Sequence, residues 1–179
     1  MRWIPTSIRS GKQSFQVMDF RDCCRNTISL SSRNKFIRKQ MNNDPYQQLK
    51  NIIESLALKI NAPASLLPTY RISDDGALPH LVVDDAGIYH FIVVERGQEL
   101  EHRKTSDRNE LLYWVFAGIT FSMACKYELK HRVKDQDFRK ILFEHQEQLL
   151  ASLSADWHKR EVSAHAAIVE RSPFDNDLS

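Results

Sequence analysis

Glycine is scarce in this chain: Gly11, Gly76, Gly87, Gly97 and Gly118 are the five glycines among 179 residues. They build no Gly-rich phosphate loop, neither a Walker sequence nor a dinucleotide fingerprint. Also missing are a Gly-x-Ser-x-Gly elbow, a His-Glu-x-x-His helix and a Cys-x-x-Cys pair. Three cysteines occur, Cys23, Cys24 and Cys125. The count is odd and the adjacent pair is poorly placed to bridge itself. No disulfide framework is read, and a reducing, cytoplasmic setting is expected. No apolar run approaches the ~20 residues that cross a bilayer, and no apolar stretch of signal-peptide type follows the first ten residues. What is present suits one domain. The chain is 42% hydrophobic, and folded domains of roughly 150 residues bury about 68–70% of the surface of the unfolded chain.

The small net charge of +2 hides a division. Residues 1–40 hold nine Lys/Arg against two Asp/Glu, a net of +7, whereas residues 41–179 hold sixteen against twenty-one, a net of −5. An acidic main domain argues against nucleic-acid binding, which needs clustered cations to neutralise phosphates. Within residues 1–40 the apolar positions keep neither helical nor strand period. The segment is expected to be a disordered basic extension, or sequence upstream of a start at Met41. A basic arm for RNA or a membrane surface is the competing reading, and no amphipathic pattern supports it.

From Asp44 onward the pattern is regular. Asp44 caps and Pro45 opens a helix carrying Leu49, Ile52, Ile53, Leu56 and Ile60, closed by Pro63. Short strands are expected at 70–73, 79–84, 88–95 and 99–104, joined by turns at Asp74-Asp75-Gly76, Asp84-Asp85-Ala86-Gly87 and Arg96-Gly97-Gln98. The run Ile88–Glu95 is apolar on both faces and reads as a central, doubly covered strand. The charged run Glu99–Lys104 reads as an edge. Three helices follow. Asp107 caps the first, with Glu110 in capping-box position, and this helix is apolar nearly all round. Asp135 or Asp137 caps the second, and Ser154 or Asp156 the third, which ends at Ser172-Pro173. The expectation is an α+β domain over 41–174: an N-terminal helix, an antiparallel meander of three or four strands, about three C-terminal helices on the sheet, and a frayed tail at 175–179.

Candidate chemistry is sparse. His158, Glu161 and His165 share one helical face, as a metal site would require, but a solvated face is the preferred reading. Cys125 reads as core rather than nucleophile. Glu95 and Arg96, with His90, are the residues on which a small enzyme site would rest, with Glu95 as base and Arg96 holding an anion. No paired partner residue supports this, so the chain is read as a non-enzyme without cofactor or metal. The acidic residues cluster at strand ends and turns, among them Asp84, Asp85, Glu95, Glu99 and Glu101. Such a rim steers a basic protein partner, although Asp favours turns in any case.

The segments Glu95-Arg96-Gly97, Thr105-Ser106-Asp107, Glu110-Leu111-Leu112-Tyr113-Trp114 and Asp137-Phe138-Arg139, with Phe143 and Gln146, resemble the immunity protein 63 family. The likeness covers roughly Leu66 to Phe174 and leaves out residues 1–40. It implies a bacterial immunity protein of a polymorphic toxin system that binds a cognate toxin domain, with no catalytic residues to carry over. The −5 balance of residues 41–179 would suit a basic toxin such as a nuclease. Asp84, Asp85, Glu95, Arg96, Glu99 and Glu101 are then the expected contact residues.

Overall fold

A computed structural model describes residues 44–175. The basic segment 1–40 and the end of the tail, 176–179, lie outside the described residues. The element order is α1 (Pro45–Lys59), a short 3-10 turn (Ala64–Leu66), β1 (Thr69–Tyr70), β2 (Gly76–Val83), β3 (Tyr89–Glu95), β4 (Gln98–Thr105), α2 (Arg108–His131), α3 (Phe138–Leu153) and α4 (Ala155–Arg171). None of these helices is long and apolar enough to cross a membrane.

The caps expected from sequence set the helix starts. Asp44, Asp107, Asp137 and Ser154 each accept a backbone N–H of the first turn, which satisfies one of the orphan donors there. The capping box at Asp107 does not form. Glu110 turns away and holds Arg160 with two bonds of 2.5 and 2.9 Å, a stronger charge-assisted arrangement.

The sheet order is β1-β2-β3-β4. Strands β2, β3 and β4 form the expected antiparallel meander, but β1 pairs parallel to β2, so the sheet is mixed. After β1 the chain leaves the sheet at Arg71, whose φ is 69°, and returns through Asp74 and Asp75 to start β2 opposite Glu95. The Asp74-Asp75-Gly76 turn therefore closes a return loop rather than a hairpin. The β3–β4 connection is the two-residue kind, with Arg96 and Gly97 both at positive φ (52° and 74°), as a turn that matches strand twist demands.

Alternation divides the sheet. Leu81, Tyr89, Phe91 and Val93 face the core with Leu49, Ile53, Leu111, Val115, Phe116 and Leu150. The other face carries Val82, His90, Ile92 and His102. Full cover of β3 on both sides is not found: only Phe91 is buried and Ile92 and Val94 are half-buried. In α2 the apolar girdle also exceeds the cover. Phe116 is fully buried and stacks on Trp157 at 5.9 Å, whereas Phe121 is 48% and Leu129 68% exposed.

The α3 start also ties down the end of the chain. Arg139 bonds the Asp137 carboxylate at 2.5–3.1 Å and donates to the carbonyls of Ser172 and Pro173. Asp175 N–H donates to Asp137, and Phe174 packs against Phe143. The guanidinium and these N–H groups hold the Asp137 carboxyl well below the usual carboxylate range. A depressed carboxyl stabilises the fold fully above its unfolded value of about 3.9 and loses that contribution as pH falls toward the folded value. Asp137→Asn keeps the cap but removes the charge. In urea melts its stability deficit should be constant above about pH 5 and shrink below about pH 4; a deficit independent of pH would remove this linkage.

Candidate functional site

The acidic residues picked out by sequence do not form one rim. Asp84 and Asp85 lie in the β2–β3 turn, while Asp74, Asp75, Glu95 and Arg96 lie at the opposite end of the sheet. The length of β3 separates the two ends by about 20 Å at roughly 3.4 Å per residue. At the far end Asp75 accepts from Gly97 N–H at 2.7 Å, and Arg96, whose side chain is 90% exposed, approaches Glu95 at 4.0 Å. Glu101 and Glu99 point to different faces of β4. Glu101 shares the face of Val93 and pairs with Arg103, which lies over the rings of Phe91 and Trp114. The register shifts between Val93 and Val94, so that Val94 pairs with Glu99 and Leu100 is extra. This one-residue bulge turns Glu99 onto the face of His102.

On that face four side chains form a chain. Asp84 Oδ2 meets His90 Nε2 at 3.2 Å, His90 Nδ1 meets His102 Nε2 at 3.0 Å, and His102 Nδ1 lies 3.3 Å from Glu99 Oε1. Asp84 also accepts the N–H groups of Ala86 and Ile88, each at 2.9 Å. Its carboxyl is lowered, first by the Ile88 N–H and then by His90. His90 thus belongs with Asp84 and Glu99. It is not near Glu95 and Arg96, so the three residues of the candidate enzyme site are not brought together. His102 went unnoticed in the sequence because the bulge that places it beside Glu99 has no sequence marker.

A second polar group lies inside the helical layer. Glu161 is 9% exposed and His165 6%. Their helix face is therefore not solvated, which corrects the preferred sequence reading. They follow Trp157 at four-residue steps, on the face of α4 that packs inward. Tyr113 O–H donates to Glu161 at 2.7 Å and Gln146 Nε2 at 3.0 Å, and His165 Nε2 lies at 3.4 Å. His165 reaches Glu147 through Nδ1 at 2.7 Å and stacks on Phe143 at 3.9 Å. Burial, together with the bond to Glu161, pushes the Tyr113 hydroxyl up to about 12. Among the described residues no group of three or more His, Cys, Asp or Glu is arranged to hold a metal. Burial pushes the Cys125 thiol up as well, away from the thiolate a nucleophile needs.

Residues that carry the family resemblance are concentrated here. Glu110, Tyr113, Phe143 and Gln146 join α2, α3 and α4 through Arg160, Glu161 and His165, and Asp137 with Arg139 anchors the chain end. They are devices of helix assembly. Tyr113→Phe would leave one oxygen of a buried carboxylate without its donor, at a cost of about 1–3 kcal/mol. The expected result is a lower urea midpoint with an unchanged slope, and a double-mutant cycle with Glu161→Gln should show the two losses to be non-additive. Full additivity would mean that the two side chains do not act together.

Residues 84–167 match the family model described as immunity protein 63, a span running from the β2–β3 turn through most of α4. No curated protein matches the chain, and no solved structure does. The matched span contains the β3–β4 hairpin, the α2 start and the Glu161 seam on which the resemblance rests. Residues 84–167, just under half of the chain, are similar to the immunity protein 63 family.

Proposed function

We propose that this protein neutralises a cognate bacterial toxin domain by binding it in the cytoplasm of the producing cell. The observation that carries this reading is the family match over 84–167. Two features support it. A packed helical layer holds the sheet from one side, so charged groups on its turns and edge are carried on rigid elements, as tight recognition favours. The −5 balance of residues 41–179 complements a basic toxin, such as a nuclease, and would speed encounter. Binding rather than catalysis is the role proposed, and the separation of His90 from Glu95 and Arg96 supports it.

Asp84, Asp85, Glu95, Arg96, Glu99 and Glu101 are the proposed contact groups. Because the two turn clusters sit at opposite ends of β3, a single toxin surface would lean on one end more than the other. Asp85→Lys and Glu95→Lys test the ends separately, and both side chains lie outside the core. Co-expression with the cognate toxin should restore growth with the wild-type chain. One of the two charge reversals should cut the association rate at least tenfold at low salt and flatten its salt dependence. Growth arrest despite the wild-type chain would overturn the immunity reading. Full neutralisation by both reversals at unchanged rates would remove these residues from the interface.

A further inference from the structure

The Asp84–His90–His102–Glu99 chain is not needed for the packing of the domain. It lies on the sheet face turned away from the core, and the side chains of its two histidines are 14% and 28% exposed. Ionised carboxylates only accept, so the imidazole nitrogen facing each carboxylate is the protonated one. His90 Nε2 then points its proton to Asp84 and His102 Nδ1 to Glu99. The two remaining nitrogens, His90 Nδ1 and His102 Nε2, stand 3.0 Å apart with a lone pair on each. Two facing lone pairs repel, and an electrophile must lie between them: a proton or a metal ion.

We infer that His90 Nδ1 and His102 Nε2 form a two-imidazole site for a divalent transition-metal ion of the Ni2+ or Cu2+ type, with water in the remaining positions. Three observations point this way. The first is the separation. Metal–imidazole bonds of about 2.0–2.1 Å set neighbouring nitrogens roughly 2.9 Å apart on a square-planar or octahedral ion and roughly 3.3 Å apart on a tetrahedral one. The observed 3.0 Å fits the former, and it equally fits the shared proton that the test below tells apart. The second is the backing of both rings. A metal-bound histidine characteristically gives its other N–H to a carboxylate, which fixes the tautomer and raises the basicity of the ligand. Here both rings have one, and the Glu99 carboxylate is in place only because of the bulge at Leu100. The third is the scaffold. His102 pairs with Ile92, the second residue after His90 on β3, so the two imidazoles are diagonal neighbours on adjacent strands. Such neighbours lie within side-chain reach, and the hydrogen-bonded ladder holds them there. The inference is independent of the toxin-binding reading.

Calorimetric titration with Ni2+ is the test, with proton NMR of the imidazole signals alongside. The wild-type chain should bind one ion, and of its seven histidines the His90 and His102 signals should broaden first at substoichiometric metal. His102→Gln should lower the affinity at least tenfold. Glu99→Gln, which leaves both ligands in place, should lower it by about tenfold through the lost carboxylate. The double variant H90Q/H102Q should keep its far-ultraviolet circular dichroism and lose the site. Equal binding by wild type and the double variant, or parallel broadening of all seven histidines, would overturn the proposal. So would the absence of any heat at ten equivalents of Ni2+, which would leave the pair as two imidazoles sharing a proton.

Discussion

A buried carboxylate sets the terms for the helical layer. Glu161 on α4 is removed from water, and an ion in that position is stable only if donors replace its hydration. Tyr113 of α2 and Gln146 of α3 do so. Because each donor comes from a definite position on its own helix, the pairing fixes how far each helix slides and rotates against the others. Apolar packing between Phe116, Trp157 and Leu150 supplies more of the energy, but it tolerates small shifts in register. The polar seam does not, since a displaced donor would leave a buried charge unpaired.

With the helices fixed, α2 presents Leu111, Val115 and Ile119 to Leu81 and Phe91, and the sheet acquires one firmly held face. The other face is then free to carry charge and imidazole. Its turns expose Asp85 and Arg96 on backbone that is held by specific bonds, Asp84 to Ala86 and Ile88 at one end and Asp75 to Gly97 at the other. The residues that carry the family resemblance lie chiefly in the scaffold. Tyr113, Asp137, Arg139 and Gln146 hold the helices and the chain end.

Much of the fold was legible because it depends on local chemistry. Asp44-Pro45, Asp107, Asp137 and Ser154 act as caps within their own turns. The turn glycines Gly87 and Gly97 lie at positive φ, where lack of a Cβ costs nothing. The parallel pairing of β1 was not legible, since a two-residue strand carries no period and its direction depends on where the return loop lands. Nor was the burial of Glu161 and His165. Charged residues at helical spacing read as a solvated face, and Tyr113 and Gln146, distant by 48 and 15 positions, make burial acceptable.

The candidate site divides along the same line. The amino-acid sequence by itself determined the family resemblance, the caps, the strand and turn positions and the acidic balance of the main domain, because each is written in neighbouring residues or in composition. Tertiary structure alone decided which charges meet. It parted Glu95 and Arg96 from His90 by the length of a strand, and through one bulge it brought Glu99 to His102 and His102 to His90. Contact between side chains far apart in sequence depends on register, and in a sheet a shift of one residue moves a side chain to the other face.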